Sequence, residues 1–331
     1  AVGITLCFAF VNGFHDGGNV VATIIGSRSM RPGRALLLAT LAEFVGPLII
    51  GTAVANTIAS SILKPEALAG LPQPVACLVV ISAALGAILW KLPTWFLGLP
   101  SSSSHAIISG LVGAGLVAVG SHGIAFSGVL GSVLLPLLVS PIVGIVLGYI
   151  IFAIIRTMFA SAHRSAGHFF ITVQKPIMLL LAAGHGSNDA QKSMGLIALT
   201  LAASGGQFQS KVGLPEWVVL SAAAALAAGV AAGGLRIVKS VGYDMFRMEP
   251  VHSFASLFTS TSVVIGASVL GGPISTAQVV GASVMGVGAS RRLAGVRWHS
   301  ARSMGYAWFM TVPFCGGMSA VLFWVLNQIF G

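Results

Sequence analysis

Charge is what this chain has least of. Only 7% of its 331 residues are charged, and just seven are acidic. A water-soluble domain carries roughly 25% charged residues, so a soluble globular fold is excluded. Cysteine is also scarce. Cys7, Cys77 and Cys315 each lie in an apolar run without metal-ligand spacing or a pairing pattern. That excludes a zinc site and a disulfide scaffold, and leaves three small core hydrophobes. The chain opens at Ala1 inside an apolar stretch, where no separate signal segment is expected.

What is present is oil and glycine. Hydrophobic residues make up 56% of the chain, the mean hydropathy is +0.96, and there are 42 glycines. A membrane helix needs about 20 apolar residues, and stretches of that kind recur from end to end. The fold class is therefore an all-α polytopic membrane protein. Ten passes are expected, near 2–27, 35–60, 72–91, 93–120, 127–156, 175–201, 216–235, 251–270, 272–290 and 304–329. The passes at 93–120 and 272–290 contain Gly/Pro/Ser breaks and read as broken helices or hairpins.

The net charge of +10 has a bland explanation. Arg28, Arg31 and Arg34 follow the first pass, Lys91 the third, and Arg156 and Arg164 the fifth. Arg236, Lys239 and Arg247 follow the seventh, and Arg291, Arg292, Arg297 and Arg302 the ninth. The other side receives Lys64 and Lys211. This is positive-inside patterning, so nucleic acid is not the partner; the bilayer of the cell membrane is. Both termini are then expected outside the cytoplasm.

Two polar motifs each occur twice at one spacing. Gly13-Phe14-His15-Asp16 recurs 173 positions on as Gly186-Ser187-Asn188-Asp189, and Gly98-Leu99-Pro100-Ser101-Ser102-Ser103 as Gly271-Gly272-Pro273-Ile274-Ser275-Thr276. The chain is thus duplicated, with a first repeat at 1–156, a linker at 157–174 containing His163, Arg164 and His168, and a second repeat at 175–331. Five passes per half is an odd number, so the second repeat is expected to be inverted. Secondary transporters of this architecture bind substrate at the repeat interface.

Asp16 and Asp189 lie inside apolar passes, where a charge costs roughly 2.5–3.5 kcal/mol even on a lenient scale. Their matched positions point to an ion or proton site. Asn19 follows Asp16 by one helical turn, and Asn188, Gln191 and Lys192 surround Asp189. Gly17 and Gly18 favour local unwinding that would free backbone oxygens for a cation. His15 is a proton relay or a helix-bridging hydrogen bonder, and Glu43 a third membrane carboxylate or a helix-end charge. The Pro-Ser breaks carry the opposite chemistry. Ser101 to Ser104 and Ser275-Thr276 stand where a new helix would start, offering free N–H groups and hydroxyls to an anion. Serine also hydrogen-bonds between membrane helices without further function; duplication of the motif favours the anion site.

These motifs resemble the signatures of the inorganic phosphate transporter (PiT) family. Gly13 to Thr23 is similar to its first signature, Gly186 to Lys192 to its second, and Gly98 to His105 with Gly271 to Thr276 to its paired serine/threonine hairpins. Four motifs in order cover essentially the whole chain. The resemblance implies import of inorganic phosphate, alone or as a metal–phosphate, by symport with protons or sodium. It places Asp16, Asn19, Asn188 and Asp189 in the ion-coupling centre and Ser102, Ser103, Ser104, Ser275 and Thr276 around phosphate. It implies no cofactor, no resident metal and no catalysis, and is compatible with a homo-oligomer. The Phe-His-Asp wording is closer to the proton-coupled bacterial type. Gly17-Gly18 and Ala277-Gln278 depart from the family pattern and bear on substrate identity.

Three alternatives remain. A sulfate symporter would share the geometry. A passive channel would not concentrate its substrate. An intramembrane aspartyl protease would use Asp16 and Asp189 as a dyad, but leaves the serine motifs unexplained.

Overall fold

The computed structural model describes residues 1–161, 166–204, 214–233 and 237–331. His163, Arg164, Lys211 and Arg236, used above, lie outside them. Among the described residues all regular structure is helical apart from one isolated bridge, Leu63 to Ile124.

The helices are α1 (Val2–Gly26), α2 (Pro32–Ile50), α3 (Ala53–Ser61), α4 (Pro65–Ala69), α5 (Gln73–Phe96), α6 (Ser103–Val119), α7 (Phe126–Gly128), α8 (Leu135–Met158), α9 (Ala166–Ala203), α10 (Glu216–Gly233), α11 (Val238–Gly242), α12 (Pro250–Val269), α13 (Thr276–Arg291) and α14 (Trp298–Phe330). A π-helical stretch, Val129–Leu134, joins α7 to α8 into one rod over 126–158. Because α9 begins at Ala166, residues 166–174 of the expected linker are helical.

Among the described residues the expected ten passes are corrected to six crossings and two hairpins. Both ends of the α5–α6 pair lie at one end of the molecule: the Lys64 N–H donates to the Gly123 carbonyl and Leu63 bridges Ile124. Both ends of α12–α13 lie at the other, where Arg291 pairs with Glu249 at 2.8 Å. Arg156 donates to the Ser290 carbonyl at that same end, and Arg28, Arg247 and Arg297 line one cavity there. Each pair therefore enters and returns from its own side. Hydropathy could not show this, since α5 is long and apolar enough to cross by composition. By the same measure α1 falls short, because its middle is polar. The expected pass at 35–60 is one crossing made of two helices. Gly51, at φ +100°, breaks it, and α3 continues along α9, with Ala55 and Ile58 against Gly195.

The breaks at both hairpin tips use the same device. Gly98 and Gly271, 173 positions apart, have φ of +68° and +76°, a left-handed conformation open mainly to glycine.

Packing repeats with the sequence. Helix α1 packs on α10 as α9 packs on α2, and α6 on α14 as α13 on α8. Each hairpin thus returns along a crossing helix of the opposite half. The close approaches are paired too. Gly13 lies against the Leu226 carbonyl and Gly186 against that of Glu43, while Gly229 lies against Phe10 and Gly46 against Ala183. A side chain at any of these glycines would strike main chain.

The apolar core is split. One mass gathers Phe8, Ile58, Ile107 and Leu196 towards the Lys64 end, and another gathers Ile24, Met178, Phe246 and Val280 towards the basic end. Between them α1 and α9 cross through a polar layer.

Candidate functional site

The layer is built from one face of each of two helices. Asn12, His15, Asp16 and Asn19 stand at i, i+3, i+4 and i+7 on α1, and His185, Asn188, Asp189 and Lys192 repeat the spacing on α9. All eight are buried. Asn12 donates to Asp189 Oδ2 at 2.8 Å. Ligand atoms of Asp16, His185 and Asp189 lie within 4.8 Å of one another. Residue 12 of one helix thus meets 189 of the other while 16 approaches 185, an antiparallel crossing.

Each aspartate holds a lysine. Lys91 Nζ, from α5, donates to Asp16 Oδ2 at 2.6 Å, and Lys192 Nζ donates to Asp189 Oδ1. Removing one member of such a buried pair costs about 3–5 kcal/mol, because the other charge is left uncompensated. His15 Nδ1 lies 2.7 Å from Asp16 Oδ1. His185 bridges two carboxylates, with Nε2 3.2 Å from Asp189 and Nδ1 3.0 Å from Glu43. Those contacts are close in distance but too bent for hydrogen bonds, so they are ion pairs when the ring is charged.

The hairpin tips meet the layer. Ser103 Oγ accepts from Lys192 Nζ at 2.9 Å and lies 3.4 Å from Asp189 Oδ2. Ser104 Oγ donates to the Ile274 carbonyl at 2.6 Å, tying one tip to the other. Ser102 is the N-cap of α6; its hydroxyl accepts from the His105 N–H at 3.2 Å and contacts that ring at 2.7 Å. Ser275 and Thr276, at the start of α13, keep buried hydroxyls without a protein partner. Two helix starts and their hydroxyls thus converge beside Lys192.

The remaining sequence-expected residues divide by task. His15 and Asn188, pseudo-equivalent, each hold a tip. His15 Nε2 lies 3.1 Å from Thr94 and 3.3 Å from Ser101, and Asn188 donates to Ser268 and to the Gly272 carbonyl at 3.0 and 3.2 Å. Gln191 is an architectural cap: its oxygen accepts from the N–H groups of Val54 and Ala55 at 2.7 and 3.2 Å, at the start of α3. Asn19 is buried with its amide unbonded to protein and makes no hydrogen bond to Asp16. The expected unwinding at Gly17-Gly18 does not occur. Helix α1 runs through both, and Gly17 gives room to Val230.

Lys91 is a correction. Its place after an apolar run reads as a loop charge, yet it is fully buried on Asp16. His185 and Asn12 also escaped notice. Helical spacing from the aspartates, four residues back in each copy, would have found them.

The sequence model of the phosphate transporter family matches residues 12–319. The chain belongs to that family. It is 36% identical over 326 residues to a probable low-affinity inorganic phosphate transporter of Bacillus subtilis (strain 168), covering 98% of this chain and 96% of that one. With another of that name from Mycobacterium leprae (strain TN) the identity is 37%, covering 98% and 77%. The solved structure titled "The sodium-dependent phosphate transporter" superposes with a TM-score of 0.87 at 25% identity, covering 99% and 98% of the two chains. Membership of the phosphate transporter family makes this a multi-pass membrane transporter and removes the protease reading of its two aspartates.

Proposed function

We propose that the protein imports inorganic phosphate by secondary symport, the anion held between the two hairpin tips. The observation that carries this reading is the Ser104–Ile274 hydrogen bond, which brings both helix starts together next to Lys192 and Ser103. Free N–H groups, the positive ends of two helix dipoles, hydroxyls and an ammonium suit a tetrahedral oxyanion. The Asp189 carboxylate beside Ser103 favours phosphate over sulfate. Phosphate keeps a hydroxyl that can donate a hydrogen bond to an ionised carboxylate, and sulfate at neutral pH has none.

Protons are the coupling ion in this reading. A sodium ion is held by carboxylate oxygens, and both aspartates already bind lysine ammoniums built into the chain. Glu43 and His185, which face each other without a lysine, then form the protonatable pair, and Asp16 and Asp189 stay ionised beside them. The halves at 1–156 and 175–331 act as inverted repeats. Support comes from the antiparallel crossing of α1 and α9 and from hairpins that return to opposite ends. By the positive-inside rule the arginine-rich end faces the cytoplasm.

Uptake of labelled phosphate into proteoliposomes tests the whole. An imposed pH gradient in sodium-free buffer should drive accumulation, and a sodium gradient without a pH gradient should not. Sulfate in tenfold excess should compete weakly, and adding or withholding divalent metal reads the metal–phosphate form. Uptake driven by neither gradient would refute symport.

A further inference from the structure

At the basic end, the turn between α1 and α2 meets the third turn of α9 around a cavity of about 680 Å³. Arg31, Arg34 and Lys175 line it, together with Leu38, Pro176 and Leu179. All three cations are exposed. Among the described residues no carboxylate lies within ion-pair distance of any of them. From the cavity an unpartnered apolar surface runs along α2, through Leu37, Leu41 and Val45.

The duplication supplies an internal control. Helix α2 maps onto α10 by the Gly46–Gly229 pair, and α9 onto α1 by the Asp189–Asp16 pair. Arg31 then corresponds to Leu214, Arg34 to Trp217 and Lys175 to Val2. The equivalent corner at the opposite membrane face is thus apolar, with the acidic Glu216 beside it. The fold does not require three cations at this corner; positive-inside orientation puts cations on this face and leaves their convergence on one cavity unexplained.

We propose that this cavity binds the headgroup of an anionic phospholipid from the cytoplasmic leaflet, with an acyl chain along α2. Three cations without acidic partners match a phosphodiester, the apolar wall matches a chain, and the inner leaflet is the anionic one. Since Arg31 and Arg34 belong to the first half and Lys175 to the second, the lipid clasps the seam where α2 packs on α9.

The test is thermal unfolding of the purified full chain in neutral detergent, titrated with short-chain phosphatidylglycerol, phosphatidylcholine or inorganic phosphate. Phosphatidylglycerol should raise the midpoint saturably, and phosphatidylcholine should not. The triple variant Arg31→Gln, Arg34→Gln, Lys175→Gln should need at least about tenfold more phosphatidylglycerol for the same shift. Arg34→Lys, which keeps the charge, should behave as wild type. Equal shifts from both lipids, or an unchanged titration in the triple variant, would overturn the proposal. So would inorganic phosphate reproducing the shift in wild type and losing it in the triple variant, which would assign the cavity to the free anion. None of these readouts depends on transport, so the proposed symport stands or falls separately.

Discussion

Lys91 and Lys192 are the two residues on which the chemistry of the polar layer turns. Each is fully buried, and each has its aspartate as counter-ion. Lys91→Met should leave Asp16 with His15 alone and destabilise the fold by about 3–5 kcal/mol. Adding Asp16→Asn should recover most of that loss, because the stranded charge goes with it. Neither variant should accumulate phosphate. Thermal melting beside uptake separates the two effects; an unchanged melting temperature in Lys91→Met would show that the pair is not formed. Gln191 predicts the reverse pattern. Gln191→Leu strands two buried N–H groups at the start of α3, at about 1–3 kcal/mol each, whereas Gln191→Glu keeps an acceptor there. Calorimetry on the two variants should rank Glu well above Leu. The aspartates were legible from sequence because a charge in an apolar run is rare. Lys91 was not, since its position in the chain is that of an ordinary loop cation.

At the scale of elements, hydropathy located nearly every apolar helix but could not tell a crossing from a return. The information lies in contacts between segments far apart in sequence, such as Lys64 with Gly123 and Arg291 with Glu249. The hairpins make a labelling prediction. Cysteine at Ser121 should react with an impermeant thiol reagent from outside and cysteine at Leu293 from the cytoplasm. Cysteine at Leu97, in the α5–α6 tip, should react from neither side. Reaction of position 97 from the cytoplasm would restore a full crossing for α5. Glycine contacts between crossings predict another outcome. Gly13→Val and Gly186→Val place side chains against the carbonyls of Leu226 and Glu43, and should abolish recovery of monodisperse protein. Gly266→Ala, with open space around it, should be tolerated and gain up to about 1 kcal/mol of helix propensity. Size-exclusion profiles of the three variants compare them directly.

For the whole molecule, duplication was visible in the motifs, yet the exchange of partners between halves was not. Periodicity and spacing describe what one segment wants to bury, and never name the segment that buries it. Here α1 rests on α10 and α6 on α14, so neither half encloses its own polar face. That arrangement bears on how the protein is made. Helix α1 leaves the ribosome before α5 and α10, bearing Asn12, His15, Asp16 and Asn19, while Lys91 follows 75 residues behind Asp16 and α10 begins only at Glu216. During that interval a charged helix has α2 and α5 for neighbours but not α9 or α10. The insertion machinery must hold α1 in waiting until the second half arrives, and a chain arrested before residue 216 should be a substrate for membrane quality control rather than half a transporter.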